Sequence, residues 1–223
     1  MKKLLSLAAC AAFGIMLVQT PACKKDPVTD NRLIFKEEFK DVPGLQATGW
    51  MITTYYYLNS GPQWGQGRQG VDKFGVSYGF PAYSYENSKT EYAYISFSGY
   101  PGADSLSAWL ITPTLTLHDG DKISFYTRGE ASGATDRLQI RLNPQDASTD
   151  VGSSNTSVGR YTLLLHAVNP GAANNGYPVS WTKQELVVSG LGGERSTRLA
   201  FRYNPNTSAS SGIGIDKLEI TRP

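Results

Sequence analysis

Two carboxylates near opposite ends of the sequence, Glu37 and Asp216, have the clearest claim to chemistry. Glu37 lies between Phe35 and Phe39, so strand alternation aims it at the same side as two aromatic rings, where an unpaired charge is costly. Asp216 follows Gly214-Ile215 in a similar apolar setting. Each needs a neutralising partner. Calcium, a hard cation that takes roughly six to eight oxygen ligands, would serve as a structural cofactor clamping the first strand to the last. A salt bridge to Arg128 or Arg202, or backbone hydrogen bonds, would satisfy the same carboxylates.

A second constellation surrounds Trp64 in Gly61-Pro62-Gln63-Trp64-Gly65-Gln66-Gly67-Arg68. Sugar rings stack on exposed aromatic faces while amides and guanidinium groups hydrogen-bond their hydroxyls. Flanking glycines would expose the Trp64 ring, and Gln63, Gln66 and Arg68 are suitable partners, with Tyr56 just upstream in Tyr55-Tyr56-Tyr57. Loop packing would explain Trp64 equally. Trp50, Trp109 and Trp181 stand in strand-like strings and are expected in the core.

Catalytic signatures are missing. His118 and His166 are far apart, and no HExxH, CxxC, GxGxxG or GxxxxGK[ST] string occurs. A nucleophilic triad assembles in space, but there is no GxSxG elbow. Glu86 and Glu91 could be drawn as paired acids, yet their flanks show only a polar turn. Asp104-Ser105-Leu106 resembles a short acceptor pattern for O-glycosylation, which would place Ser105 at the surface.

The elements that must position these residues are strands. Of 223 residues, 40% are hydrophobic and 11% aromatic, with 23 Gly and 12 Pro, a balance against a helical bundle. Two cysteines exclude a disulfide scaffold. Apolar residues recur at every second position in about nine runs. These are Ile34 to Phe39, Tyr92 to Phe97, Trp109 to Thr112, Lys122 to Arg128, Leu138 to Leu142, Tyr161 to His166, Trp181 to Val188, Leu199 to Tyr203 and Ile213 to Ile220. Turn clusters such as His118-Asp119-Gly120-Asp121 separate them. The pattern predicts an all-β protein, a jelly-roll β-sandwich of two antiparallel sheets, over residues 32 to 223. Two long loops, Asn59 to Gly79 and Pro144 to Gly159, are expected to carry function.

The first residues read as an export label. Met1-Lys2-Lys3 and the apolar run Leu4 to Val18 suit a secretory signal better than a membrane span. The run ends in Gln19-Thr20-Pro21-Ala22-Cys23, which resembles the lipobox of bacterial lipoproteins. Leu7-Ala8-Ala9-Cys10 fits the consensus more closely but leaves too short an apolar run before it. Residues 1–22 are therefore expected to be a signal peptide, Cys23 the lipidated residue, and 23–31 a linker. Cleavage there removes two of the 21 basic residues and leaves 19 against 19 acidic ones, without the basic footprint of a nucleic-acid binder. Acyl chains on one cysteine would attach the chain to a membrane without an amphipathic helix. Lys24-Lys25-Asp26 resembles export signals toward the outer leaflet.

Several strings, in order, resemble one family. They are Phe35-Lys36-Glu37-Glu38-Phe39, Gly49-Trp50, Ala108-Trp109-Leu110-Ile111-Thr112-Pro113, Ser124-Phe125-Tyr126-Thr127-Arg128, Ser148 to Ser154, Val158 to Leu164, Gly176-Tyr177-Pro178, Leu199 to Tyr203 and Ile213-Gly214-Ile215-Asp216. Together they resemble the choice-of-anchor J domain of bacterial surface proteins, related to the cleaved-adhesin and MAM-like jelly rolls, over nearly all of residues 33 to 221. The resemblance implies a jelly roll on exported proteins, no catalytic activity, a role in adhesion or glycan contact, and calcium near the strands of Glu37 and Asp216. The resulting expectation is a non-catalytic, monomeric, adhesin-like lipoprotein of the outer membrane or cell surface. It would bind a glycan or a host or matrix protein. A structural or assembly part of an outer-membrane surface complex is the alternative.

Overall fold

Period-two alternation is realised as antiparallel strands throughout the computed structural model, which describes residues 32–56, 61–83, 89–98, 106–205 and 209–223. Cys10, Cys23, Tyr57, Glu86, Asp104 and Ser105 lie outside the described residues. In chain order the strands are β1 (Arg32–Glu37), β2 (Met51–Tyr55), β3 (Gly65–Gln66), β4 (Gly70–Val71), β5 (Ser77–Tyr78), β6 (Ala93–Ser96), β7 (Ser107–Ile111), β8 (Leu115–Leu117), β9 (Lys122–Gly129), β10 (Leu138–Leu142), β11 (Leu163–Val168), β12 (Thr182–Val187), β13 (Arg195–Thr197), β14 (Leu199–Tyr203) and β15 (Gly212–Arg222). One 3-10 turn, Pro43–Thr48, follows β1 and ends at Gly49.

Two sheets face each other as a jelly-roll sandwich. The six-stranded sheet runs β12-β9-β15-β6-β3 with β1 also on β15, and the five-stranded sheet runs β11-β10-β14-β7-β2. Strand β15 is the spine of the larger sheet. Its first half pairs with β6 (Gly214↔Tyr94) and its second half with β1 (Glu37↔Leu218, Arg32↔Arg222). A bulge between Asp216 and Glu219, with Lys217 at φ 50°, separates the halves.

Alternation decides which side chains fill the interior. On β9, Ile123 and Phe125 point inward while Ser124, Tyr126 and Arg128 point outward, and on β14 Leu199, Phe201 and Tyr203 point inward. Phe125 meets Phe201 edge to face across the sandwich at 5.1 Å, an aromatic contact worth about 0.5–1.5 kcal/mol beyond its buried area.

Both outer faces are covered as well. Residues 143–162 fold back over the five-stranded sheet, where Val151 and Tyr161 join Trp109, Ile111 and Ala200 in a second cluster. Residues 78–83 lie over the six-stranded sheet, where Phe80 and Ala82 join Tyr92 against Tyr94 and Trp181. The loop Pro144 to Gly159 is thus partly a core-forming lid, and the lid over the other face begins where the loop Asn59 to Gly79 ends. Trp50 belongs to the interior core, Trp109 is buried beneath the first lid, and Trp181 is half-buried beneath the second.

Candidate functional site

Four of the residues expected to bind a ligand, Tyr56, Gln63, Trp64 and Gln66, do not form the expected constellation. Trp64 is only 3% exposed, its ring meets Tyr203 edge to face, and its indole N–H donates to the Ala108 carbonyl at 3.3 Å. It is a core residue, because the chain turns its ring inward at the start of β3. Tyr56 is buried against Phe97. Gln66 uses its amide internally, donating to the Phe39 and Tyr92 carbonyls and accepting from Val42 N–H at 2.8 Å. Gln63 is exposed beside the buried Trp64 and borders no described cavity.

Both carboxylates of the expected pair meet backbone donors. Glu37 Oε1 accepts the Phe39 N–H at 2.8 Å, and Asp216, fully buried, accepts Tyr83 N–H at 2.8 Å and Lys217 N–H at 2.7 Å. Backbone donors answer the desolvation of both. Arg128 lies over the Phe80 ring, and Arg202 bonds to Ser107, Gln139 and Asn155, so neither pairs with these acids. Among the described residues no three His, Cys, Asp or Glu side chains gather as cation ligands.

Neither histidine is hydrogen-bonded to a hydroxyl or thiol among the described residues. His118 Nδ1 meets the Asp119 carbonyl and His166 Nε2 meets Gln184 Oε1.

Arg68 does line a cleft, with Gln66, Tyr78, Gly79, Tyr94 and Glu130, of about 240 Å³. Its floor is the outward face of β6 and its roof is the lid. Glu130 ties the two together: Oε1 accepts the Gly79 N–H at 3.0 Å and Oε2 accepts the Tyr94 hydroxyl at 2.5 Å. Burial, reinforced by Glu130, raises the Tyr94 phenol, and burial pushes Tyr92 up to about 12. Both phenols therefore stay protonated at neutral pH.

The lid is fixed at several points. Phe80 stacks on Tyr92 at 4.8 Å, and Arg128 stands 4.3 Å above the Phe80 ring. Trp181 donates to the Pro81 carbonyl at 2.8 Å, and Tyr83 stacks on Tyr126 at 3.6 Å. Glycines make this closeness possible. The Tyr78 ring lies across Gly70, and at Gly79, with φ 64°, a Cβ would overlap the Arg68 carbonyl oxygen.

Tyr78 stands at the cleft mouth, 47% exposed. Strands β4 and β5 continue from it as a hairpin whose turn is held by Asp72, which accepts from Phe74 and Val76. Phe74 at its tip is 77% exposed, and Val71 and Val76 are exposed beside it. Sequence reasoning missed Tyr78, Tyr94 and Glu130. The available signal was the alternation that turns Tyr94 outward while its neighbours Ala93 and Ile95 point in.

No family model and no curated protein matches the sequence. Among solved structures the chain is similar to two cleaved adhesin domains of Lys-gingipain from Porphyromonas gingivalis W83. The K1 domain is 20% identical with a TM-score of 0.53, covering 85% of this chain and 98% of that one. The K3 domain is 17% identical with a TM-score of 0.51, covering 85% and 99%. At these identities the likeness establishes the fold: this chain has the adhesin-like jelly-roll sandwich.

Proposed function

We propose that this chain is a non-catalytic, ligand-binding surface lipoprotein of the choice-of-anchor J type, tethered through Cys23, and that it holds a glycan in the Arg68 cleft. The observation that carries the reading is the exposed Tyr78 ring beside Arg68 and Glu130 at the mouth of a stiff cleft. A ring face supplies stacking, a guanidinium donates and a carboxylate accepts, the complement that sugar hydroxyls require. The tied lid limits the ordering cost of binding. The likeness to cleaved adhesin domains is compatible with contact outside the cell.

The test is a glycan array followed by titration of the best ligand into the wild type, Tyr78→Ala and Arg68→Ala. Both positions are exposed or cleft-lining, so melting should hold while affinity falls about tenfold or more. Unchanged affinity in both variants refutes the cleft. Labelling with a fatty-acid probe should mark the wild type and spare Cys23→Ser. The exposed apolar hairpin favours a second reading, a protein partner in a surface complex. In that case Phe74→Ser would abolish stoichiometric capture of that partner and leave the glycan array blank throughout.

A further inference from the structure

The outer face of the five-stranded sheet carries a cluster of cations without acids. Arg137, Gln139 and Arg141 occupy alternate positions along one face of β10 and the residue before it, and Arg202 of β14 faces Gln139 directly across the ladder. Arg202 is only 4% exposed, and Arg137 and Arg141 are half-buried. Among the described residues no carboxylate forms an ion pair with any of the three. Arg202 donates to Ser107 Oγ at 2.8 Å, Gln139 Oε1 at 3.2 Å and the Asn155 carbonyl at 2.7 Å. Arg141 donates to the same Gln139 oxygen and to the Tyr161 carbonyl, while Arg137 donates to Asn204 and the Pro170 carbonyl.

The acids near them in sequence are committed elsewhere. Asp136, adjacent in sequence to Arg137, turns inward to the Tyr203 hydroxyl and Ser211. Asp146 accepts from Asn143 and Ser148 and faces Arg160. Arg141 and Arg202 share one amide oxygen and repel one another, Arg137 adds to the repulsion on Arg202, and buried guanidinium groups are normally paired with acids. Burial, then Arg141 and Arg137, push Arg202 down to about 10, so it remains charged at neutral pH. The cluster is therefore a fixed positive field in a partly desolvated setting, where charge-assisted bonds to an arriving anion are strongest.

We propose that Arg137 and Arg141, backed by the buried Arg202, which shares the Gln139 oxygen with Arg141, form an oxyanion-binding site for a carboxylate or sulfate group. It lies on the opposite face of the sandwich from the Arg68 cleft and does not depend on that cleft's function. Arg141 and Arg137 make the direct contacts, and their guanidinium forks match the paired oxygens of either group. Arg202 is a positioning residue, holding Gln139 and supplying charge from beneath.

The experiment uses polygalacturonate, dextran sulfate, neutral dextran and free inorganic sulfate, titrated into the wild type at low and high salt. Binding of at least one anionic probe, weakened by salt and absent with neutral dextran, is expected. Binding to polygalacturonate alone identifies a carboxylate ligand; binding to dextran sulfate or free sulfate identifies a sulfate. An Arg137→Ala/Arg141→Ala double variant should lose about tenfold or more in affinity, whereas Lys183→Ala, which removes an exposed cation from the other sheet, should bind as the wild type. The same anion should raise the wild-type melting temperature and leave that of the double variant unmoved. If the double variant folds poorly, Arg141→Gln carries the comparison. Absence of binding to every anionic probe, or equal binding by the Arg141 variants and the wild type, overturns the proposal.

Discussion

Asp121 and Asp136 are both buried carboxylates, and their partners drive them in opposite directions. Burial pushes Asp121 up, but the Arg222 guanidinium, with contacts of 3.0 and 3.1 Å, and the His118 N–H outweigh it and hold the acid below its ordinary range. Burial outweighs the hydroxyl and amide donors that Asp136 receives from Tyr203, Ser211 and Gly212, so its value rises. The depressed group lends stability above the ordinary carboxylate value, near pH 4, that is lost as pH falls through its folded value. The raised group has the opposite sign, since protonation favours the folded state. Urea midpoints followed from about pH 6 to 2 should therefore fall more steeply for the wild type than for Asp121→Asn. Parallel profiles would show that this pair does not govern acid stability. Sequence could mark Asp216 as a buried acid from its apolar neighbours, but not that Tyr83, 133 residues earlier, supplies an N–H. For Trp64 the nearby glycines suggested exposure, whereas Gly61 and Gly67 admit the close approach of the Tyr56 and Tyr92 side chains. Burial depends on where the ring turns, which local composition does not encode.

At the level of elements, strands with regular alternation were legible. All nine runs are present, and Leu138 to Leu142 matches β10 at both ends. Strand β2 was missed because Met-Ile-Thr-Thr-Tyr is half-buried along its whole length and shows no period. The two-residue β3, β4 and β5 are too short for any period to register. Loop length drew attention to the segment that carries Arg68, which lines a cleft, but could not show that the segment after it folds over the outer sheet face and provides the roof. That roof depends on Gly79. Gly79→Ala should place a side chain against the Arg68 carbonyl in a backbone region that disfavours it, costing about 1–3 kcal/mol locally. Amide exchange should accelerate across residues 79–83 while β9 and β15 stay protected, and ligand affinity at the Arg68 cleft should drop with it. Unaltered protection of the lid would show that it is held without this close approach.

For the whole molecule, the strand order brings together chain segments distant in sequence. Strand β15 has β1 beside its end and β6 beside its beginning, along the same edge. Arg32, where the described chain begins, is consequently level with Arg222, whereas the Arg68 cleft borders Tyr94, whose strand partner Gly214 is roughly 25 Å away along β15. The direction of a mechanical load then matters. A pull between a tether ahead of Arg32 and cargo held in the cleft runs along β1 and β15, so their cross-strand bonds are sheared together. A pull between residues 32 and 222 would instead unzip β1 one rung at a time. Optical-tweezer rupture forces should be markedly higher in the first geometry, and equal forces would mean that the terminal strand pair does not carry the strain. The strand that completes the sheet would then also serve as the anchor line, gripping hardest in the direction in which a captured surface would drag it.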